Sequence, residues 1–111
     1  PVFLIEKNNT NLINKIKKEV NNAIFPELEA TLTGPPLVSA LSTRLEKVVS
    51  IDNGIMHMIA LANIPMIVLF GPTNSKKFAP KIDKIDILDS KLIYDSDDIS
   101  QITEDEVLKL I

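Results

Sequence analysis

Short apolar runs divide the chain into segments of strand length. PVFLIE (1–6), KVVSI (47–51) and MIVLF (66–70) contain few polar residues, as in strands that are buried on both faces of a parallel sheet. Near the end of the chain, KIDILD (84–89) and KLIYD (91–95) are predicted as two further short strands. The pattern therefore predicts buried strands distributed over the whole chain.

Apolar residues at helical spacing separate these runs. They recur every three or four positions within 8–23, 37–47 and 52–64, which predicts three amphipathic helices. A fourth helix is predicted at 102–111, because Thr103 is followed three residues later by Glu106 in the pattern of a capping box.

Glycine, asparagine and proline mark the predicted element ends. Asn63 and Pro65 predict the end of the third helix, since asparagine tolerates the left-handed conformation and proline cannot continue a helix. The stretch 24–36 is predicted to be extended up to a turn at Gly34, Pro35 and Pro36.

The alternation of strands and helices is typical of an α/β fold, an open parallel sheet with flanking helices. The 111 residues are expected to form one domain, 1–111, with a single hydrophobic core. Because the chain starts at Pro1 and enters an apolar run at once, without the layout of a signal peptide, we expect it to be a fragment of a longer protein.

Composition excludes several classes of protein. The chain has 12 basic and 15 acidic residues, so it lacks the basic surplus of a nucleic-acid binder. It has no cysteine, which rules out disulfides and thiolate metal sites. No apolar run reaches the roughly 18 residues that a transmembrane segment requires. We therefore expect neither nucleic-acid partners nor a membrane span.

Polar residues follow two neighbouring predicted strands, where ligands bind in open α/β sheets. Asp52, Asn53 and Gly54 come after the strand at 47–51, and Thr73 follows the next strand. The first N–H groups of a helix lack intrahelical acceptors and attract anions, and His57 lies on that first turn. These residues predict an anion site at one sheet edge.

The same residues also fit a structure that binds nothing. Asp52 or Asn53 would then be an ordinary helix cap, and His57 would fill a half-buried gap. The DSD sequence at 95–97 and the lysines at 76–77 are more simply interpreted as solvated loop charges than as metal or phosphate ligands.

The segment SIDNGIMHMIALANIPMIVLFGPTNSKKFAP (50–80) resembles the signature of glycosyltransferase family 9, the ADP-heptose:lipopolysaccharide heptosyltransferases. That signature begins with Asp, then Ser or Thr, then Gly, with His three residues after the Gly. A Pro and then the run Leu-Phe-Gly-Pro-Thr follow further along. The matching positions are Asp52, Gly54, His57, Ala60, Pro65, Leu69, Phe70, Gly71, Pro72, Thr73 and Pro80.

The resemblance implies an inverting enzyme of GT-B fold, with this chain as its Rossmann-like, donor-binding C-terminal half. Asp52 would contact donor-sugar hydroxyls, and the Gly54 backbone and His57 would face the diphosphate of an ADP-sugar. Glu6, at the end of the first predicted strand, would meet a ribose hydroxyl. The catalytic base is expected in the N-terminal half, so no catalytic residue, metal or cofactor is assigned to this chain.

The resemblance further implies a lipid-linked saccharide acceptor, reached through the other half, and a cytoplasmic enzyme peripheral to the bacterial inner membrane. The sequence departs from the family at Asn53, where serine or threonine is usual, and at IEKNN (5–9), where glycines are usual. These departures leave the donor sugar open. The alternative is a non-catalytic α/β nucleotide-binding or interaction module, which a fully polar surface would favour over an exposed apolar face.

Overall fold

A computed structural model describes residues 1–111 and divides into two compact units, 1–38 and 39–111. Whether 1–111 form one domain stays a prediction. The helices are α1 (Thr10–Glu19), α2 (Pro26–Glu29), α3 (Gly34–Ser42), α4 (Gly54–Ala60), α5 (Ser75–Phe78), α6 (Ser90–Tyr94) and α7 (Glu104–Leu108), with a 3-10 turn at Ile99–Gln101. The strands are β1 (Val48–Ile51), β2 (Met66–Phe70) and β3 (Ile85–Asp89).

The first unit centres on a pair of aromatic rings. Phe3 and Phe25 stack with their centroids 5.7 Å apart, and the Lys17 ammonium lies 5.5 Å from the centre of the Phe25 ring. Ile13 of α1 and Phe25 are both buried. This agrees with the predicted apolar face of the first helix.

The strand predicted at 1–6 is wrong. Only Val2 forms a parallel bridge, with Ile24, and no ladder extends from it. Pro26 begins α2 two residues after Ile24, and a proline has no N–H to donate to a neighbouring strand. The pairing therefore ends after one residue on either side.

The predicted turn at 34–36 is instead the first turn of α3. Gly34 has φ +63°, and Pro35 and Pro36 follow it within the helix. Prolines fit the first helical turn because its N–H groups have no intrahelical acceptors in any case. The predicted helix is thus present, but it begins at Gly34 and ends at Ser42, earlier at both ends than the predicted 37–47.

The second unit contains a three-stranded parallel sheet in the order β1-β2-β3. Central strand β2 is the most buried, with Met66, Ile67, Val68 and Phe70 at most 1% exposed. The predicted α/β class with an open parallel sheet and flanking helices is confirmed. Because the strands are parallel, their carboxyl ends meet at one edge, where Ile51 is in register with Leu69 and Phe70 with Asp89.

KLIYD (91–95), predicted as a strand, forms most of α6 instead. The carboxylate Oδ1 of Asp89 accepts hydrogen bonds from the Lys91 N–H (3.0 Å) and the Leu92 N–H (3.4 Å). This N-cap directs the chain into a helix. The apolar residues of that run stay largely outside the core, with Leu92 66% exposed.

Two predicted helix boundaries are confirmed. Asn63 adopts the left-handed conformation after α4, with φ +52°, and its side chain exchanges hydrogen bonds with the Asp83 carboxylate (2.7 Å) and N–H (3.1 Å). At α7, Thr103 and Glu106 form the reciprocal capping box. None of the helices has the length and apolar character needed to cross a bilayer.

Candidate functional site

The ends of β1 and β2 meet at Asp52 and Thr73. The Asp52 N–H donates to the Leu69 carbonyl at 3.2 Å and extends the ladder of the sheet by one residue. Its carboxylate Oδ2 accepts a hydrogen bond of 2.5 Å from the Thr73 hydroxyl. Both residues are half-buried. The structure therefore brings together the two predicted site residues that come from different strand ends.

Asn53 is the N-cap of α4. Its backbone is extended, and its Oδ1 accepts a hydrogen bond of 3.0 Å from the Met56 N–H. The N–H groups of Gly54 and Ile55, which precede Met56 in the first turn, have no acceptor within the chain. One amide at the start of the helix is thus capped by a side chain, and two have no acceptor. The alternative in which Asn53 is an ordinary helix cap is correct in this respect.

Gly54 and His57 lie on the exposed side of this helix start. A Cβ added to Gly54 would meet no atom within 4 Å. The fold therefore does not require glycine here, and open space lies next to the free amides. The His57 imidazole is exposed and does not fill a gap in the core, contrary to that alternative.

Gly71 of the Gly-Pro-Thr loop has the opposite surroundings. A Cβ at this position would lie 2.8 Å from the Asp97 carbonyl oxygen and 3.2 Å from the Ile99 Cβ. Real Cβ atoms do not approach backbone oxygen so closely, so only glycine fits. The close approach of residues 97–99 fixes the chain two residues before Thr73.

Glu6 lies in the first unit and is exposed, in a turn where its carbonyl accepts a hydrogen bond of 3.0 Å from the Asn9 N–H. The strand that was expected to place Glu6 at a sheet edge does not form. Its contact with a ribose stays a prediction without that support.

A cleft of about 280 Å³ opens at the same edge of the sheet, between the loop after β2 and the start of α6. The sequence pattern did not indicate this cleft, although Asp89 ends a predicted strand much as Asp52 follows one. Its lining residues are Pro72, Thr73, Asn74, Ser75, Lys76, Asp89, Lys91 and Leu92. Thr73 therefore contributes both to this cleft and to the pair with Asp52.

Of the two acids at 95–97, Asp97 forms an ion pair, and Asp95 has its role in the backbone at the end of α6. Asp95 ends α6 in the left-handed conformation, with φ +54°, and the Asp97 carboxylate lies 3.1 Å from the Lys91 ammonium. No three metal-ligating side chains in the chain cluster as a metal site requires. This geometry agrees with the interpretation of these acids as loop charges.

The carboxyls with shifted pKa values, Asp98 and Glu106, cap helices and do not line the cleft. Hydrogen bonds from the Ser100 hydroxyl and N–H lower the pKa of Asp98. The Tyr94 hydroxyl and the Thr103 N–H lower the pKa of Glu106. These shifts therefore report on helix starts and not on ligand chemistry.

Comparison with known proteins adds one finding. The profile of glycosyltransferase family 9 (heptosyltransferase) matches residues 6–104, which is most of the chain. Neither curated proteins nor solved structures give a match. The family match includes the whole Asp52–Thr73 edge and confirms the resemblance read from the motif. The chain belongs to glycosyltransferase family 9, a family of glycosyltransferases.

Proposed function

We propose that this chain is the donor-binding part of an inverting glycosyltransferase, with an ADP-heptose-like nucleotide sugar as donor and a role in lipopolysaccharide or cell-envelope glycan synthesis. The observation that carries the proposal is the Asp52–Thr73 pair beside the free amides of Gly54 and Ile55. Membership of family 9 supports glycosyl transfer.

Each part of this edge has a task in that reaction. When an acceptor hydroxyl attacks the sugar carbon, the departing diphosphate gathers negative charge, which N–H donors stabilise. The amides of Gly54 and Ile55 and the imidazole of His57 supply such donors. Asp52 keeps its Oδ1 free of protein partners, so it can accept hydrogen bonds from sugar hydroxyls while Thr73 holds Oδ2.

The reaction also needs a base that removes the proton of the acceptor hydroxyl. We assign that base, and the contacts to a lipid-linked saccharide, to a partner half of a GT-B enzyme at the cytoplasmic face of the inner membrane. Val49 and Ile51 of β1 are 46% and 51% exposed, so this surface is not fully polar. The apolar exposure supports the two-domain proposal over a stand-alone module.

The alternative is a non-catalytic nucleotide-binding or interaction module. The observation that favours it is the cap made by Asn53, which occupies the Met56 amide as in an ordinary helix. Binding of a nucleotide without any gain from an attached sugar would support the module.

The test is a titration of the isotopically labelled chain with ADP-heptose, with ADP and inorganic phosphate as separate arms. We expect amide shifts at Gly54, Ile55 and His57. Asp52→Asn should weaken ADP-heptose binding about tenfold, in the range expected for a lost hydrogen bond to a charged group.

The matched control is Asp86→Asn, the same substitution at an exposed position of β3, which should bind as the wild type does. Shifts confined to other regions, or equal affinities of Asp52→Asn and wild type, would refute the assignment of this edge to the donor.

A further inference from the structure

Ser75 is a buried residue whose hydroxyl has no partner in the chain. The residue is 3% exposed, and no hydrogen bond satisfies its Oγ. No fully buried side-chain oxygen or nitrogen in the chain lacks a partner. The Ser75 hydroxyl must therefore reach an open space, and the space that Ser75 lines is the cleft beside Thr73.

Asp89 presents a second such group to the same cleft. It is 5% exposed, and its Oδ1 accepts both hydrogen bonds of the α6 cap. Its Oδ2 has no partner in the chain, so by the same reasoning it opens into the cleft that Asp89 lines. A carboxylate oxygen in this position accepts hydrogen bonds and repels anions.

The remaining walls supply donors and apolar contact. Lys76 has no ion-pair partner, and Lys91 is held by an exposed pair with Asp97. The Thr73 hydroxyl donates to Asp52, so its lone pairs remain available as acceptors. Pro72 and Leu92 add apolar surface.

We propose that this cleft binds the ring of a neutral, hydroxyl-bearing sugar, the sugar that the donor carries, with Asp89 and Ser75 as its specificity-determining residues. The proposal rests on the proposed function, because Thr73 links the cleft to the carboxylate assigned to the donor. A sugar ring offers hydroxyl donors to Asp89 Oδ2, hydroxyl acceptors to the lysines, and C–H faces to the apolar walls. A cleft of about 280 Å³ has room for a single sugar ring.

Calorimetric titration of this chain with ADP and with ADP-heptose separates the sugar from the nucleotide. We expect ADP-heptose to bind more tightly than ADP. Asp89→Asn keeps an oxygen for the α6 cap but replaces the free acceptor, so it should weaken ADP-heptose about tenfold and leave ADP unchanged. Ser75→Ala should weaken ADP-heptose about threefold.

The matched control is Asp98→Asn, the same substitution at a helix cap outside the cleft, which should change neither affinity. Equal losses for ADP and ADP-heptose in Asp89→Asn, or no loss at all, would overturn the cleft assignment. Thermal unfolding of each variant verifies that the fold is retained.

Free heptose and inorganic phosphate, added separately to the labelled chain, distinguish failure of the cleft from failure of the proposed function. Shifts at Ser75 and Asp89 with heptose, in a chain that does not bind ADP, would support the cleft and refute the donor function. Shifts there with phosphate alone would refute the sugar assignment and indicate an anion site.

Discussion

An aspartate stands at the end of β1 and at the end of β3, each shortly before a helix, yet the two aspartates make different contacts. Asp52 follows the last residue of β1, whereas Asp89 is itself the last residue of β3. Asp89 is buried and caps α6 through two backbone N–H groups. Asp52 is half-buried and leaves the capping of α4 to its neighbour Asn53. Its carboxylate contacts Thr73 across the sheet edge instead.

The two ends differ in whether the aspartate or the residue after it is the N-cap of the helix. Where the next residue is the cap, the aspartate carboxylate has no hydrogen bond to backbone N–H groups. At β3 the aspartate is the N-cap itself, so one of its oxygens is committed to the fold. At β1 the cap falls one position later, at Asn53, and the Asp52 carboxylate bonds only to the Thr73 hydroxyl. We expect substitution of Asp89 to lower both stability and sugar binding, and substitution of Asp52 to lower donor binding with little loss of stability.

The largest effect on stability is expected for Asp89→Ala. Two N–H groups of α6 would lose their acceptor, and the free energy of unfolding should fall by about 1–2 kcal/mol, the upper range for loss of an N-cap. Urea denaturation measures the change. Asp89→Asn, which keeps an acceptor oxygen, should cost less than half as much; equal losses in both variants would show that the cap is not what Asp89 contributes.

A smaller loss, about 1 kcal/mol, is expected for Asn53→Ala, because it removes the cap of α4 with its single bond to the Met56 N–H. Asp52→Asn should cost less in stability than Asn53→Ala does, while it affects donor binding more. The same denaturation series, run beside the binding titrations, measures both quantities. A larger stability loss for Asp52→Asn would make Asp52 a structural residue like Asp89 and remove the contrast between the two strand ends.

The smallest effect is expected from pH, at the cap of α7, which offers a third arrangement for comparison. The Tyr94 hydroxyl, and then the Thr103 N–H, lower the pKa of Glu106 below its ordinary 4.5. Since the folded pKa is the lower one, this contribution to stability is complete above about pH 4.5 and is lost as the pH falls through the folded value.

Hydrogen exchange of the α7 amides measures this loss. The protection factors of these amides should fall between pH 6 and pH 3, because the helix opens more often. Glu106→Gln is the control, and its exchange should lack the acid-dependent step that the wild type has. An identical acid response in both proteins would assign the effect to other carboxyls.

The sheet was predictable because its strands are short, largely apolar runs bounded by polar or turn residues. MIVLF becomes the central strand β2, and the predicted strands beside it are also present. Two predicted strands do not form, although they are also apolar runs. One has no neighbouring strand to pair with, and the other follows a helix N-cap. Residues 1–6 find one bridging partner before Pro26, and the run at 91–95 follows the capping Asp89.

The candidate site was predictable where it follows from topology alone. Parallel strands bring their carboxyl ends together, so Asp52 and Thr73 were expected at one edge, and a hydrogen bond joins them. Their roles toward a ligand stay predictions. The cleft was not predictable, because it depends on the course of the loop after β2 and on α6, which the sequence pattern assigned to a strand.

The close approach of the 97–99 backbone to Gly71 has a consequence for anyone who wishes to re-engineer this protein. Position 71 tolerates no side chain, so the start of the loop that carries Thr73 is fixed in place. Residues 72–76, which follow it, line the cleft. A library aimed at new sugar preferences should therefore keep 71 invariant and diversify 74 and 76, whose side chains are exposed.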